Sequence, residues 1–188
     1  RTTTVGVVLQ IITSPYFAEI ARGMDDIASM YKYNVILANS DGDEEKELKV
    51  IESLFSKQVD GIVYMGSFMT EKVRNQLKST RTPIVLAGMI DVDKQMSSVN
   101  IDYHLAAHQT TAELAKNNKR IAFVSGSLEE VENTERMVGY QEALNEAGID
   151  FDESLVFEGN YTFENGQALA EQMLAKKINA AIVSYDTV

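Results

Sequence analysis

Two histidines stand four residues apart in YHLAAHQ, at His104 and His108. On a helix that spacing puts both imidazoles on one face, where they could share a zinc ion. A zincin would need Glu directly after the first His, and Leu105 stands there instead. No third ligand follows at a useful spacing, so the pair reads as two histidines facing solvent or a neighbouring surface. The chain holds no GxGxxG, no GxxxxGK[ST] and no GxSxG, and so lacks the usual warrants for a dinucleotide site, a triphosphate cradle or a hydrolase elbow. The acids of DGDEEKE (41–47) open a helix, where negative charge suits the macrodipole, and read as a solvated helix start. No catalytic residue and no metal ligand is expected, and the chain does not read as an enzyme.

Whatever site exists must be held by the surrounding elements, and these repeat in a fixed order. TVGVVLQ (4–10) reads as a buried strand. In SPYFAEIARGMDDIASMYK, the residues Phe17, Ile20, Ala21, Met24, Ile27, Ala28 and Tyr31 fall at helical spacing and mark a face turned toward a core. Ser14 supplies an N-cap, with Pro15 at the first helical position. Strands are expected at 34–39, 60–66, 83–88 and 98–102, with helices over 43–57 and about 70–79. The cycle restarts at Asp102, which can cap a helix to about residue 117. A strand at 119–126, a helix over 133–148 ending in Gly148, a strand at 155–160, a helix over 163–176 and a strand at 179–186 follow. Apolar strands alternating with amphipathic helices predict an α/β fold of parallel sheets covered on both faces. No Pro/Gly/Ser linker interrupts the chain, so two doubly wound subdomains with a cleft are expected, at 1–101 and 102–188. The chain stops just after a strand, where a helix should follow, and the second subdomain is expected to be incomplete.

Doubly wound sheets bind ligands at the carboxyl ends of their strands. Thr13, Ser14, Tyr16, Asp41, Ser67, Ser125, Asn133, Arg136 and Asp186 occupy such ends here. Of these, Thr13, Ser14, Tyr16, Arg136 and Asp186 are the candidate effector-binding residues. A guanidinium at Arg136 could grip a phosphate or sugar oxygen in bidentate fashion; the plain alternative is a salt bridge to Glu132 or Glu135. Ile11 and Ile12 put aliphatic side chains where polar ones would be expected, and tryptophan, a common sugar platform, is absent.

Composition narrows the partners. Seventeen Lys and Arg against 28 Asp and Glu give a net charge of −11, without the basic cluster that nucleic acid requires. The chain alone should not bind DNA. It has no cysteine, which excludes disulfides and thiolate metal sites and suits a cytoplasmic protein. No apolar run approaches the length of a membrane span. RTTTVG at the start shows neither an initiator Met nor a signal peptide, so a longer parent protein is expected.

In order and along its whole length the chain resembles the ligand-binding core of LacI/GalR-type transcription regulators, a periplasmic-binding-protein-like fold. The likeness is carried by TTTVGVVL, YFAEIARGMDDIA, KQVDGIVYMG, PIVLAG, SVNIDYHLAAH, KRIAFVSG, ENTERMVGYQEAL and VSYDTV. MYKYNVILANSD with SKQVDGIVYMG is similar to the branch of that family that controls carbon catabolite repression in low-GC Gram-positive bacteria. The resemblance implies a homodimer on palindromic operator DNA, gripped by a head domain preceding Arg1, with the rest of the second subdomain following Val188. It implies serine-phosphorylated HPr as protein corepressor, and fructose 1,6-bisphosphate or glucose 6-phosphate as assisting effectors, with no other cofactor. It also implies that the first helix and the tyrosines after it form part of the HPr-docking surface.

On that helix, with Phe17 to Tyr31 turned inward, the opposite stripe is Glu19, Arg22, Asp26, Met30 and Tyr33. Partner contacts are therefore expected at Glu19, Arg22, Asp26, Met30, Tyr31 and Tyr33. Tyr31 itself should pack against the core, leaving Met30 and Tyr33 exposed as the apolar anchors that interfaces favour. Some members of the family carry an acid where Ile11 stands, so one polar contact is expected to be missing. A sugar-binding protein of a transport system is the alternative function, because it shares the fold.

Overall fold

The computed structural model describes residues 2–66, 69–160 and 162–184. The chain separates into two compact units, Arg1–Asn100 and Ile101–Val188.

In the first unit the order is β1 (Thr4–Leu9), α1 (Pro15–Met30), β2 (Asn34–Asn39), α2 (Glu44–Ser56), β3 (Gly61–Met65), α3 (Glu71–Lys78), β4 (Ile84–Ala87) and β5 (Ser97–Val99). The strands form one parallel sheet in the order β2-β1-β3-β4-β5. Alternate residues feed opposite faces, as the pleat requires. Val8, Ile62, Tyr64 and Leu86 meet Ile51 and Leu54 of α2 and Val73 and Leu77 of α3. Val7, Leu9 and Met65 meet Phe17 and Ala21 of α1 on the other face. Asp43 and Thr70 cap α2 and α3 by accepting the Lys46 and Val73 amides.

The second unit runs α4 (Tyr103–Ala115), β6 (Ile121–Ser125), α5 (Val131–Glu146), a 3-10 turn (Glu153–Leu155), β7 (Val156–Glu158), α6 (Phe163–Ala175) and β8 (Ala180–Val183). Its parallel sheet has the order β7-β6-β8. Asp102 accepts the Leu105 amide at 2.9 Å and starts α4. Ala107 and Ala115 of α4 and Tyr140 and Leu144 of α5 pack on Ile121, Phe123 and Ile182, while Leu169 of α6 meets Ala122, Val124 and Phe157. The buried Tyr140 hydroxyl donates to the Ile121 carbonyl at 2.8 Å, satisfying a polar group the core would otherwise strand.

Several expectations need correction. α5 begins at Val131, two residues before the expected start, because Glu130 takes the extended N-cap conformation. Ser14 is the N-cap of α1 with Pro15 following, yet its side chain makes no capping hydrogen bond. The acidic opening of α2 is not solvated throughout. Glu47 is fully buried and accepts a hydrogen bond from the Tyr64 hydroxyl; burial, with the Glu47 charge beside it, pushes the Tyr64 phenol far above its ordinary range.

Candidate functional site

The first candidate surface is built by α1 and the turn after it. Phe17 and Ala21 anchor the start of the helix near the carboxyl ends of β1 and β3. Beyond Gly23, which brings no side chain, the helix leaves a gap over the sheet. The result is an almost wholly apolar pocket of about 540 Å³, lined by Val5, Val7, Val35 and Val63 below and Ile20, Met24, Ile27 and Ala28 above, with Tyr31 and Tyr33 at the end.

Ile27 and Tyr31 lie on the sheet-facing side that helical spacing predicts, but the open pocket leaves them exposed, and Tyr33 departs from its expected outward placing. Ile27 is 56% exposed and Tyr31 73% exposed, whereas Tyr33 is half-buried at the pocket. For Tyr33 the cause lies in the turn. Tyr31 is the C-cap, outside helical dihedral space, and it is the last residue of the helix's pocket-lining face. Lys32 then takes the left-handed conformation at φ 59°. The Lys32 amide donates to the Ser29 carbonyl and the Tyr33 amide to the Ala28 carbonyl at 2.8 Å, the double closure of a Schellman motif. That motif turns the apolar residue after the left-handed one back onto the helix's last turn, and here that residue is Tyr33. Met30, 76% exposed, stands outside the pocket, whereas Tyr31 is exposed at the pocket's rim. Glu19, Arg22 and Asp26 are exposed on the helix, as expected.

The second candidate surface is centred on Arg136 of α5. Its guanidinium carbon lies 4.4 Å from the centre of the Tyr103 ring, and Nη1 donates to Asn133 Oδ1 at 2.9 Å. Asn133 is fully buried and donates from Nδ2 to the Ser127 carbonyl at 3.0 Å and to Glu130 at 2.8 Å. Burial first, then Glu132, raises the Glu130 carboxyl above its usual range. No described carboxylate lies within ion-pair distance of Arg136, which excludes the expected bridge to Glu132 or Glu135 among the described residues. A half-buried guanidinium with no ion-paired carboxylate among the described residues is suited to an anion.

The remaining candidates are scattered. Thr13 is exposed, Ser14 and Tyr16 are half-buried, and Tyr16 stacks edge-on against Phe17 at 5.2 Å. Asp41 is engaged by Lys46 and Asn39, Lys46 first, which hold its carboxyl below the usual range. Ser125 is buried and donates to the Gly126 carbonyl. Asp186 and Ser67 lie outside the described residues.

The two histidines hold a helix pair together. His104 Nε2 lies 2.6 Å from Glu142 and His108 Nε2 lies 2.9 Å from Glu146, two parallel rungs between α4 and α5. The Glu142 hydrogen bond raises the His104 pKa. Between the rungs, Gly139 faces the His104 carbonyl so closely that a β-carbon would sit 2.2 Å from its oxygen. Among the described residues no group of three or more His, Cys, Asp or Glu could hold a metal, and no helix is long and apolar enough to cross a membrane.

Residues 2–187 match the family described as periplasmic binding proteins and sugar binding domain of the LacI family. The chain is 48% identical over 187 residues to catabolite control protein A of Streptococcus mutans, covering 99% of this chain and 56% of that protein. It superposes on the crystal structure of the transcription regulator CcpA of Lactococcus lactis with a TM-score of 0.93 and 67% identity, covering all of this chain and 69% of that one. A LacI-family sugar-binding transcriptional regulator of Escherichia coli, solved in complex with phosphate, aligns at 25% identity with a TM-score of 0.77, over 99% of this chain and 69% of that one. The chain thus spans little more than half the length of its Streptococcus relative.

Proposed function

The chain belongs to the family of periplasmic binding proteins and LacI-type sugar-binding domains, and on that premise we propose that it is the effector-binding core of a carbon catabolite repression regulator. Serine-phosphorylated HPr is the corepressor in this reading, and a sugar phosphate, fructose 1,6-bisphosphate or glucose 6-phosphate, assists it. The whole protein would act in the cytoplasm as a homodimer and reach operator DNA through a head domain outside this chain. Relatives at 48% and 67% identity carry the names of regulators, which favours regulation over transport.

The observation that carries the proposal is the pair Met30 and Tyr31, both about three-quarters exposed at the end of α1. Large exposed side chains on the same helix as Arg22 and Asp26, with Tyr31 at the rim of an apolar pocket, are the anchors a protein interface uses. Glu19, Arg22, Asp26, Met30 and Tyr31 would touch the partner, with Tyr33 supporting them from the pocket. Arg136 is the effector anchor, supported by the absence of an ion-paired carboxylate among the described residues, and a phosphate-bearing effector accords with the phosphate complex of the Escherichia coli relative. Thr13, Ser14, Tyr16 and Asp186 complete the proposed effector set. A phosphoserine carries about −1.5 to −2 charges, and a chain of net charge −11 receives it poorly, so the partner should bind these 188 residues weakly by themselves. The mechanism is a population shift: the corepressor binds the operator-competent form more tightly and draws the regulator toward it.

Calorimetric titration of the intact regulator with phosphorylated and unmodified HPr tests this. Binding should need the phosphate and weaken about tenfold, roughly 1.4 kcal/mol, in the double variant Asp26→Ala with Tyr31→Ala. Equal affinity for both HPr forms, or an unchanged double variant, removes the proposal.

A further inference from the structure

Resting on the effector reading of Arg136, we infer that Tyr103 is the positioning residue that makes this arginine a receptor for a phosphate-bearing ligand. The ring is buried, 5% exposed, yet one of its faces is given to a cation. It lies 4.4 Å from the guanidinium carbon, well inside the range in which a ring face attracts a cation. A guanidinium has two faces and an in-plane rim of five N–H donors. Tyr103 covers one face and Asn133 Oδ1 takes one rim donor at 2.9 Å. Asn133 cannot swing away, because its own amide is tied to the Ser127 carbonyl and to Glu130.

Two consequences follow for a ligand. The rim keeps free N–H donors, where a planar pair matches two phosphate oxygens. The charge is also left unspent. Glu130, the acid whose ionisation Arg136 favours, spends an oxygen on Asn133 and lies outside ion-pair distance. An aromatic face attracts a guanidinium without cancelling its charge, as a carboxylate in the same place would. The arginine is therefore oriented before the ligand arrives, and no described carboxylate is ion-paired to it. Ordering a long side chain in advance removes an entropic cost that binding would otherwise bear. Neutral sugars gain little from this device and anionic ones gain most. The ligand class is a sugar phosphate or another compact phosphate ester.

Tyr103 is also the first residue of α4, three positions past the boundary at Asn100. The element that orients the anion site is thus the one that opens the second unit, and the Asp102 cap at the Leu105 amide fixes its start.

The test is an NMR titration of the 188-residue chain with inorganic phosphate, following the Arg136 Nε–Hε resonance, in wild type, Arg136→Gln, Tyr103→Phe and Tyr103→Leu. In the wild type that resonance should sit upfield, shielded by the ring, and move with phosphate. Tyr103→Phe should keep both properties within about threefold in affinity, and Tyr103→Leu should lose the shielding and bind about tenfold more weakly. Wild-type strength in a folded Tyr103→Leu overturns the inference and leaves the effector reading intact. Absence of any phosphate response at Arg136 in the wild type overturns that reading and the inference together. Should Tyr103→Leu fail to fold, the wild-type resonance still decides: an Arg136 signal at the unshielded position overturns the stacking on which the inference stands.

Discussion

The two faces of the β2-β1-β3-β4-β5 sheet are made from alternate residues of the same strands, and they end in different states. The face under α2 and α3 is closed: Ile51, Leu54, Tyr64 and Leu86 are all at or below 1% exposure. The face under α1 is closed only at the carboxyl ends of the strands and opens into an apolar pocket toward their starts. Side chains of similar type thus serve stability on one face and accessibility on the other. What separates them is the helix above. Two capped helices cover the first face, while α1 packs at Phe17 and Ala21 and then runs on over a gap.

The contrast breaks most visibly under truncation. Leu54→Ala should cost about 2–5 kcal/mol in urea unfolding, because nothing can collapse into the space between α2 and the sheet. Ile27→Ala, over the pocket, should cost under about 0.5 kcal/mol. Similar losses at the two sites would mean that the α1 face is packed after all.

Acid sharpens the same contrast. On the closed side Arg74 of α3 pairs with the buried Asp91 at 2.8 Å, and the amides of Gln95 and Met96 donate to the other oxygen. Burial alone would raise the Asp91 carboxyl, but the Arg74 hydrogen bond and the two amides outweigh it and hold the pKa at about 2. The folded value is lower than the unfolded one, so this stabilisation is present above pH 4 and fades as pH falls toward 2. Asp91→Asn should cost about 1–3 kcal/mol near neutrality and flatten the loss of stability between pH 4 and 2. An unchanged acid profile would show that Asp91 holds its loop by shape alone. The smallest effect belongs to Tyr31→Ala, which should leave the unfolding free energy in urea within about 0.5 kcal/mol of wild type; a larger drop would mean that Tyr31 packs as a core residue.

Much of this was readable before any coordinates. The alternation of apolar strands with amphipathic helices gave the parallel α/β plan, because periodicity reports burial directly. Caps at Asp102 and Gly148 were visible for another reason: a carboxylate can accept the first free amides of a helix, and glycine alone takes the left-handed conformation without strain. The end of α1 was not readable, because the usual marker of a left-handed turn is glycine and Lys32 holds it instead. Lys177, likewise left-handed, ends α6 in the same way, whereas Gly148 does so openly after α5. A usable signal existed, since each of these turns is followed by an apolar residue that folds back: Tyr33, Ile149 and Ile178. Arg136 could be singled out by its place near a strand end, but its partners could not. Tyr103 lies 33 positions away on another helix, and only tertiary packing brings the two together.

Lys32 acts on the pattern of the chain as a phase slip does on a wave. Two tyrosines with one residue between them would point the same way in a strand and nearly opposite ways in a helix. The single left-handed residue belongs to neither rhythm, so it resets the count and brings both tyrosines to one pocket, Tyr31 at its exposed rim and Tyr33 half-buried. A β-branched residue at position 32, which disfavours that conformation, would strain the turn and loosen Tyr33 from its seat at the pocket.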